Sequence, residues 1–305
     1  MDGVSGTISE RAVTFGLGDS LVGIITQASR PDPTLPVVVA INGGILVRSG
    51  QGRVYVSLAR RLAALGYRML RFDLSGIGDS LTRGDGLSPG NAAVDDIRLA
   101  LDYFAAMGER VVLLGLCDGA TLAAHRASLD RRVVGAMLID PLIPRTARYR
   151  RLHLQQRLAH RTTWSELADG SHPLWRRLKM QVKGLTFSNS TTPPFDPNSP
   201  AVYAGLEAVY RGLVDNDVEV FALFTGGMQH RHCYREQLLD AFPAIDFGPR
   251  LRLEYFPSND HHLEWPPHRV WLLDQITAWL QSAPFRDRPE RELSDLSPRR
   301  NVQDM

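Results

Sequence analysis

The run Val111-Val-Leu-Leu-Gly115-Leu-Cys117-Asp-Gly119-Ala sets a cysteine between two glycines, each two residues away, after an apolar stretch and ahead of Leu122-Ala-Ala124. An apolar strand that turns this sharply into a helix holds its central residue in a strained conformation. Glycines at 115 and 119 spare that turn from collisions. Cys117 then stands clear of the backbone at a helix N-terminus, where the dipole and unpaired N–H groups favour the thiolate. The chemistry on offer is nucleophilic attack on an acyl carbon. A plainer reading makes Cys117 a small buried hydrophobe. Against it, 26 glycines and two cysteines among 305 residues produce the pattern by chance only ~0.015 times. Cys233 has no such setting and reads as structural.

The elements that must position Cys117 follow from apolar spacing. Thr14–Gly16 and Leu21–Thr26 flank Leu17-Gly18-Asp19 as an N-terminal hairpin. Strands are predicted over Val37–Ile41, Tyr67–Phe72, Val111–Leu116, Val133–Ile139, Val218–Phe224 and Leu251–Phe256. Helices are predicted over Gly52–Leu65, Asn91–Met107, Gly119–Leu129, Arg231–Ala241 and Arg269–Leu280. Alternating strand and helix predicts an α/β fold: a mostly parallel sheet flanked by helices. The rhythm fails between Pro141 and Asp217, where a helical lid insertion is expected at 141–217. The core is then 1–140 together with 218–283. Polar, charge-mixed 284–305 reads as a disordered tail.

Composition narrows the classes. With 44% hydrophobic and 22% charged residues the chain is neither fibrous nor wholly disordered. Two cysteines cannot build a disulfide framework and suggest a reducing compartment. No apolar run approaches the ~20 residues of a membrane helix, and MDGVSGTISER, with two acids and no apolar h-region, is not expected to act as a secretory signal. A cytoplasmic location is expected. The net charge of +2 is unevenly spread: Arg145 to Lys183 holds ten Arg or Lys against two acids. No ligand cluster has zinc spacing, and Gly76-x-Gly78 is not followed by a phosphate cradle, so neither metal nor organic cofactor is expected.

Asn42-Gly-Gly44 with Arg48-Ser-Gly50, Arg71-Phe-Asp73 with Gly76-x-Gly-Asp-Ser80, and Leu114-Gly-Leu-Cys-Asp118 together resemble the α/β-hydrolases. Within them, the chain is similar to the hydrolases associated with bacterial exosortase (exosortase A) systems, which also carry Cys where most relatives have Ser. The resemblance is good over about 12–140 and weak beyond. It implies an α/β-hydrolase fold in which nucleophile, acid and histidine follow in chain order. Oxyanion donors are then expected at the N–H of Asp118 and of Gly44, with Ile45 as second choice. The histidine falls in Ser258-Asn-Asp-His261-His262-Leu, where the family's Asp-His-x-hydrophobic pattern implies His261, with His262 adjacent.

The acid is open. Relatives usually place it in the turn after the penultimate strand, but Phe224-Thr-Gly-Gly-Met-Gln229 has no carboxylate. Asp140, ending the strand after the elbow helix, takes that role in some similar lipases and could instead cap the start of the lid. Glu236 and Asp260 are further alternatives, and a Cys–His pair can also act alone. Asp73, Asp79 and Ser80 belong to a loop read as structural.

The family's genomic neighbourhood, rich in acyl-activating and acyl-carrier proteins, implies acyl-thioester chemistry. The expected function is hydrolysis of an acyl ester or thioester through an acyl-cysteine. Rivals are an acyltransferase with the same residues and a non-catalytic binding protein. The basic lid, with Tyr149, Leu152, Leu158, Trp164, Leu174, Trp175 and Leu178, could cover an acyl tunnel while its exterior meets an acyl-carrier protein, CoA or an anionic membrane surface. No nucleic-acid motif accompanies the charge.

Overall fold

Continuous apolar runs become strands buried on both faces, and the sheet is built around them. In the computed structural model, which describes residues 7–159, 196–261 and 263–283, every residue of β3 (Val37–Ile41), β5 (Val111–Leu116) and β7 (Glu219–Thr225) is buried. With β1 (Ile8–Phe15), β2 (Leu21–Ala28), β4 (Met69–Phe72), β6 (Val133–Ile139) and β8 (Leu251–Phe256) they form one sheet in the order β1-β2-β4-β3-β5-β6-β7-β8. Pairing is antiparallel from β1 through β2 to β4 and parallel from β4 to β8. This is the α/β-hydrolase arrangement that the sequence leads one to expect.

Alternation along the strands splits the core into two layers. Val37, Val39, Ile41, Val111 and Leu113 point to one side, under α2 (Pro89–Ala105), α3 (Asp118–Ala127) and a further helix, α5 (Pro200–Asp215). Val38, Ala40, Val112, Leu114 and Leu116 face α1 (Val54–Ala64) and the last helix, α7 (Pro266–Ser282). The register pairs Ile41 with Gly115, Leu116 with Ile139, and Thr225 with Phe256. The carboxyl ends of the parallel strands therefore lie side by side, where ligands bind in open α/β sheets.

The insertion between β6 and β7 carries α4 (Ala147–Ala159) and α5. Leu206, Tyr210 and Leu213 of α5 are buried in the main core. Residues 160–195 of the expected lid and the expected tail at 284–305 lie outside the described residues. Among the described residues no helix is long and apolar enough to cross a membrane.

Two elements differ from expectation. The hairpin begins at Ile8 rather than Thr14, because β1 is an edge strand whose first five residues are exposed and carry no apolar alternation. The helix expected from Arg231 shrinks to α6 (Gln237–Ala241). Residues 231–236 instead form a turn that carries a fully buried His232 inward.

Candidate active site

Cys117 occupies the turn between β5 and α3 with φ 57° and ψ −120°, a conformation that non-glycine residues adopt only when held there. The surroundings hold it. A Cβ on Gly115 would lie 2.2 Å from Gly119 O, and one on Gly119 would lie 2.5 Å from Ile41 O. Both contacts are with backbone and cannot relax, so the G-x-C-x-G spacing is a steric requirement. Cys117 N–H donates to Ile139 O at 2.8 Å, and the side chain is partly exposed.

The loop after β3 closes over this turn. A side chain at Gly43 would press on Leu116 O at 2.9 Å and stand 3.4 Å from Asp118 N. Gly44, at φ +57°, faces open space, and Ile45 is exposed. Among the described residues neither the Gly44 nor the Asp118 N–H has an acceptor within the chain. The loop is fastened from outside. Asn42 Nδ2 donates to Phe72 O at 3.0 Å, Arg48 N–H donates to buried Asp73 at 2.6 Å, and the Arg48 guanidinium bridges Asp73 and Asp79. Asp73 and Asp79 thus stay outside the cluster around Cys117, tying two loops together.

Asp140, at the end of β6 with φ 51°, is completely buried. Thr225, at the end of β7, donates its N–H to Oδ1 at 2.6 Å and its hydroxyl to Oδ2 at 2.7 Å. His261 Nδ1 meets Oδ2 at 2.7 Å, which leaves the far side of the ring for the Cys117 sulfur, its other hydrogen-bond partner. His232 Nε2 lies 3.1 Å from Oδ1.

Burial opposes ionisation of Asp140, but bonds from His232, His261 and Thr225 outweigh it and hold the carboxyl well below its usual range. Burial likewise opposes a charge on His261, yet Asp140, followed by Cys117, lifts its pKa to about 9. Cys117, His261 and Asp140 therefore form a continuous chain. The other candidate acids are engaged elsewhere: Glu236 with Arg148 at 3.5 Å and Asp260 with His268 at 3.5 Å. His262 lies outside the described residues. Cys233 is buried against Tyr149, and burial pushes its thiol pKa up.

The turn without a carboxylate has a steric purpose. A Cβ on Gly226 would lie 1.8 Å from Pro257 O, and one on Gly227 would lie 2.3 Å from His261 N. The turn is packed directly onto the histidine loop, fastened by Gly227 N–H donating to Asn259 O at 3.0 Å.

Sequence reasoning missed Thr225, His232 and Arg231. Arg231 Nη1 stands 3.7 Å from Cys117 Sγ and 4.0 Å from Asp118 Oδ1. The available signal was His230-Arg-His232 directly after a strand-end turn, masked by its assignment to a helix. Among the described residues no group of three or more His, Cys, Asp or Glu could hold a metal ion.

Known structures share the architecture. The thioesterase domain from the curacin biosynthetic pathway is 17% identical, with a TM-score of 0.52 over 91% of this chain and 100% of that one. The alpha/beta hydrolase GrgF from Penicillium is 16% identical, with a TM-score of 0.51 over 90% and 98%. A hypothetical protein from Pseudomonas aeruginosa is 16% identical, with a TM-score of 0.54 over 92% and 95%. At these identities the likeness is one of fold. No curated protein matches the sequence significantly. The sequence model of the Alpha/beta hydrolase family matches residues 38–296, and the chain belongs to that family.

Proposed function

We propose that this protein hydrolyses an acyl ester or thioester through a covalent acyl-cysteine. The observation that carries the reading is the unbroken chain from buried Asp140 through His261 to Cys117. With its pKa raised to about 9, His261 holds the proton given up by the thiol, and the sulfur bonds to the acyl carbon as the carbonyl electron pair moves onto oxygen. The N–H groups of Asp118 and Gly44 hold that oxyanion. On collapse the alcohol or thiol departs with the proton from His261, and Asp140 keeps the imidazolium oriented and compensated. Water then attacks the thioester while His261 takes its proton. The free acid leaves and the thiol is restored. The resemblance to exosortase-associated hydrolases, which also carry Cys at the elbow, supports a sulfur nucleophile. The curacin thioesterase domain shares the fold and fits thioester chemistry. The basic insertion suits an acyl-carrier protein, CoA or an anionic membrane as the acyl source.

The test is a panel of acyl-CoA and p-nitrophenyl esters of graded chain length, read by turnover and by intact mass. Wild type should gain an acyl mass that Cys117→Ala lacks, and Cys117→Ala should lose turnover. Equal turnover by Cys117→Ala would overturn the sulfur nucleophile. Silence of the wild type on the whole panel, with no adduct, would favour a binding protein. Product on an added alcohol or amine in excess of free acid would make it an acyltransferase.

A further inference from the structure

The cation beside the nucleophile has no role in the steps above. Arg231 Nη1 lies 3.7 Å from Cys117 Sγ, and its side chain is 30% exposed, so a ligand reaches it. Its carboxylate contact is Asp118, itself 67% exposed and at 4.0 Å, the outer limit of an ion pair. Asp140 cannot neutralise it, being buried and shared by Thr225, His261 and His232. Burial, followed by the charges of Arg231 and Arg145, lowers the pKa of the neighbouring His230.

We propose that Arg231 is a specificity-determining residue that binds a carboxylate on the acyl group; this rests on Cys117 being the acylated atom. Guanidinium groups pair with carboxylates through short, charge-assisted bonds. A carboxylate oxygen about 2.9 Å from Nη1 sits within ~6.5 Å of the sulfur. At ~1.5 Å per carbon–carbon bond, that span admits one to three methylenes between the two carbonyl carbons. The favoured acyl group is then the half-thioester or half-ester of a short dicarboxylic acid. On its arrival Arg231 exchanges a weak contact with solvated Asp118 for a close pair.

Two measurements test this with the intact protein. Alkylation of Cys117 by iodoacetate and by iodoacetamide compares an anion with its neutral near-isostere, without any need for turnover. The iodoacetate-to-iodoacetamide rate ratio at Cys117 should exceed that at Cys233 after unfolding. It should fall at least fivefold in Arg231→Gln and recover in part in Arg231→Lys. If Arg231 acts only on the sulfur, both rates drop together and the ratio stays fixed, which overturns the subsite. In the second measurement, the kcat/KM ratio of succinyl-CoA to butyryl-CoA should be tenfold or more and collapse in Arg231→Gln. Butyryl-CoA turned over as well as succinyl-CoA, with no effect of Arg231→Gln, would overturn the subsite and leave the acyl-cysteine reading intact. A preserved iodoacetate preference with no acylation by either thioester would support the anion site and sink the acyl-cysteine reading.

Discussion

Replacing Asp140 by Asn keeps the shape of a fully buried side chain while removing its charge. The amide Oδ1 still accepts the Thr225 N–H that the carboxylate Oδ1 accepts at 2.6 Å. Nδ2 then stands where Oδ2 accepts from the Thr225 hydroxyl and meets His261 Nδ1. Nδ2 donates to Nδ1, so the imidazole proton moves to the nitrogen facing Cys117, and the ring can no longer take the thiol proton. The magnitude follows from His261. Its pKa stands at about 9 against an ordinary 6.5, with Asp140 ahead of Cys117 among the groups that raise it. The side chain is only 13% exposed, so solvent screens the pair weakly. With Asp140 the leading group that raises it, loss of that carboxylate costs the imidazolium on the order of 2–3 kcal/mol, or ~100-fold in the acylation step. The wrong tautomer deepens the loss toward ~1000-fold. The assay is kcat/KM on the best ester of the panel, with thermal unfolding as the check that the Asp140→Asn variant folds. Activity within a factor of three of wild type would refute the reasoning and leave a Cys–His pair acting alone.

Iodoacetamide at neutral pH should label Cys117 well before Cys233, which is buried and whose thiol pKa is pushed up; equal labelling, read by peptide mass, would remove the case for a reactive elbow. Gly227→Ala places a methyl 2.3 Å from His261 N, so turnover should fall at least tenfold with a stability loss of ~1–3 kcal/mol. Gly84→Ala, in open space, should change neither. The pH dependence of stability has a fixed sign. His261 has a raised folded pKa, so its charged pair with Asp140 stabilises fully below pH 6.5, and that contribution fades as pH rises through about 9. The melting-temperature gap between wild type and Asp140→Asn should therefore hold steady from pH 5 to 6.5 and narrow by pH 9.5; a gap that widens with pH contradicts the pairing.

Much of the frame was legible because its signals are local. Val37–Ile41 and Val111–Leu116 are continuous apolar runs, and both became strands buried at every residue. The elbow was legible for the same reason, its steric demands falling within five residues. The acid was not. Asp140 and His261 are 121 residues apart, and no local pattern distinguishes Asp140 from Glu236 or Asp260, which pair with Arg148 and His268. Thr225 bonds across 85 residues and looks from its neighbours like the end of any strand. The exposed half of β1 escaped notice because its order comes from backbone pairing with β2 rather than from burial.

The two glycines after β7 make two loops move as one body. The turn sits on the histidine loop so closely that any Cβ at 226 would strike Pro257 O and any at 227 the backbone of His261. Thr225, directly ahead of that turn, is bonded at the same time to Asp140 through its N–H and its hydroxyl. Asp140 in turn meets His261 Nδ1. The contacts close a ring, so a displacement of either loop reaches the Asp140–His261 contact from both sides, and slack introduced at one glycine is felt at the imidazole.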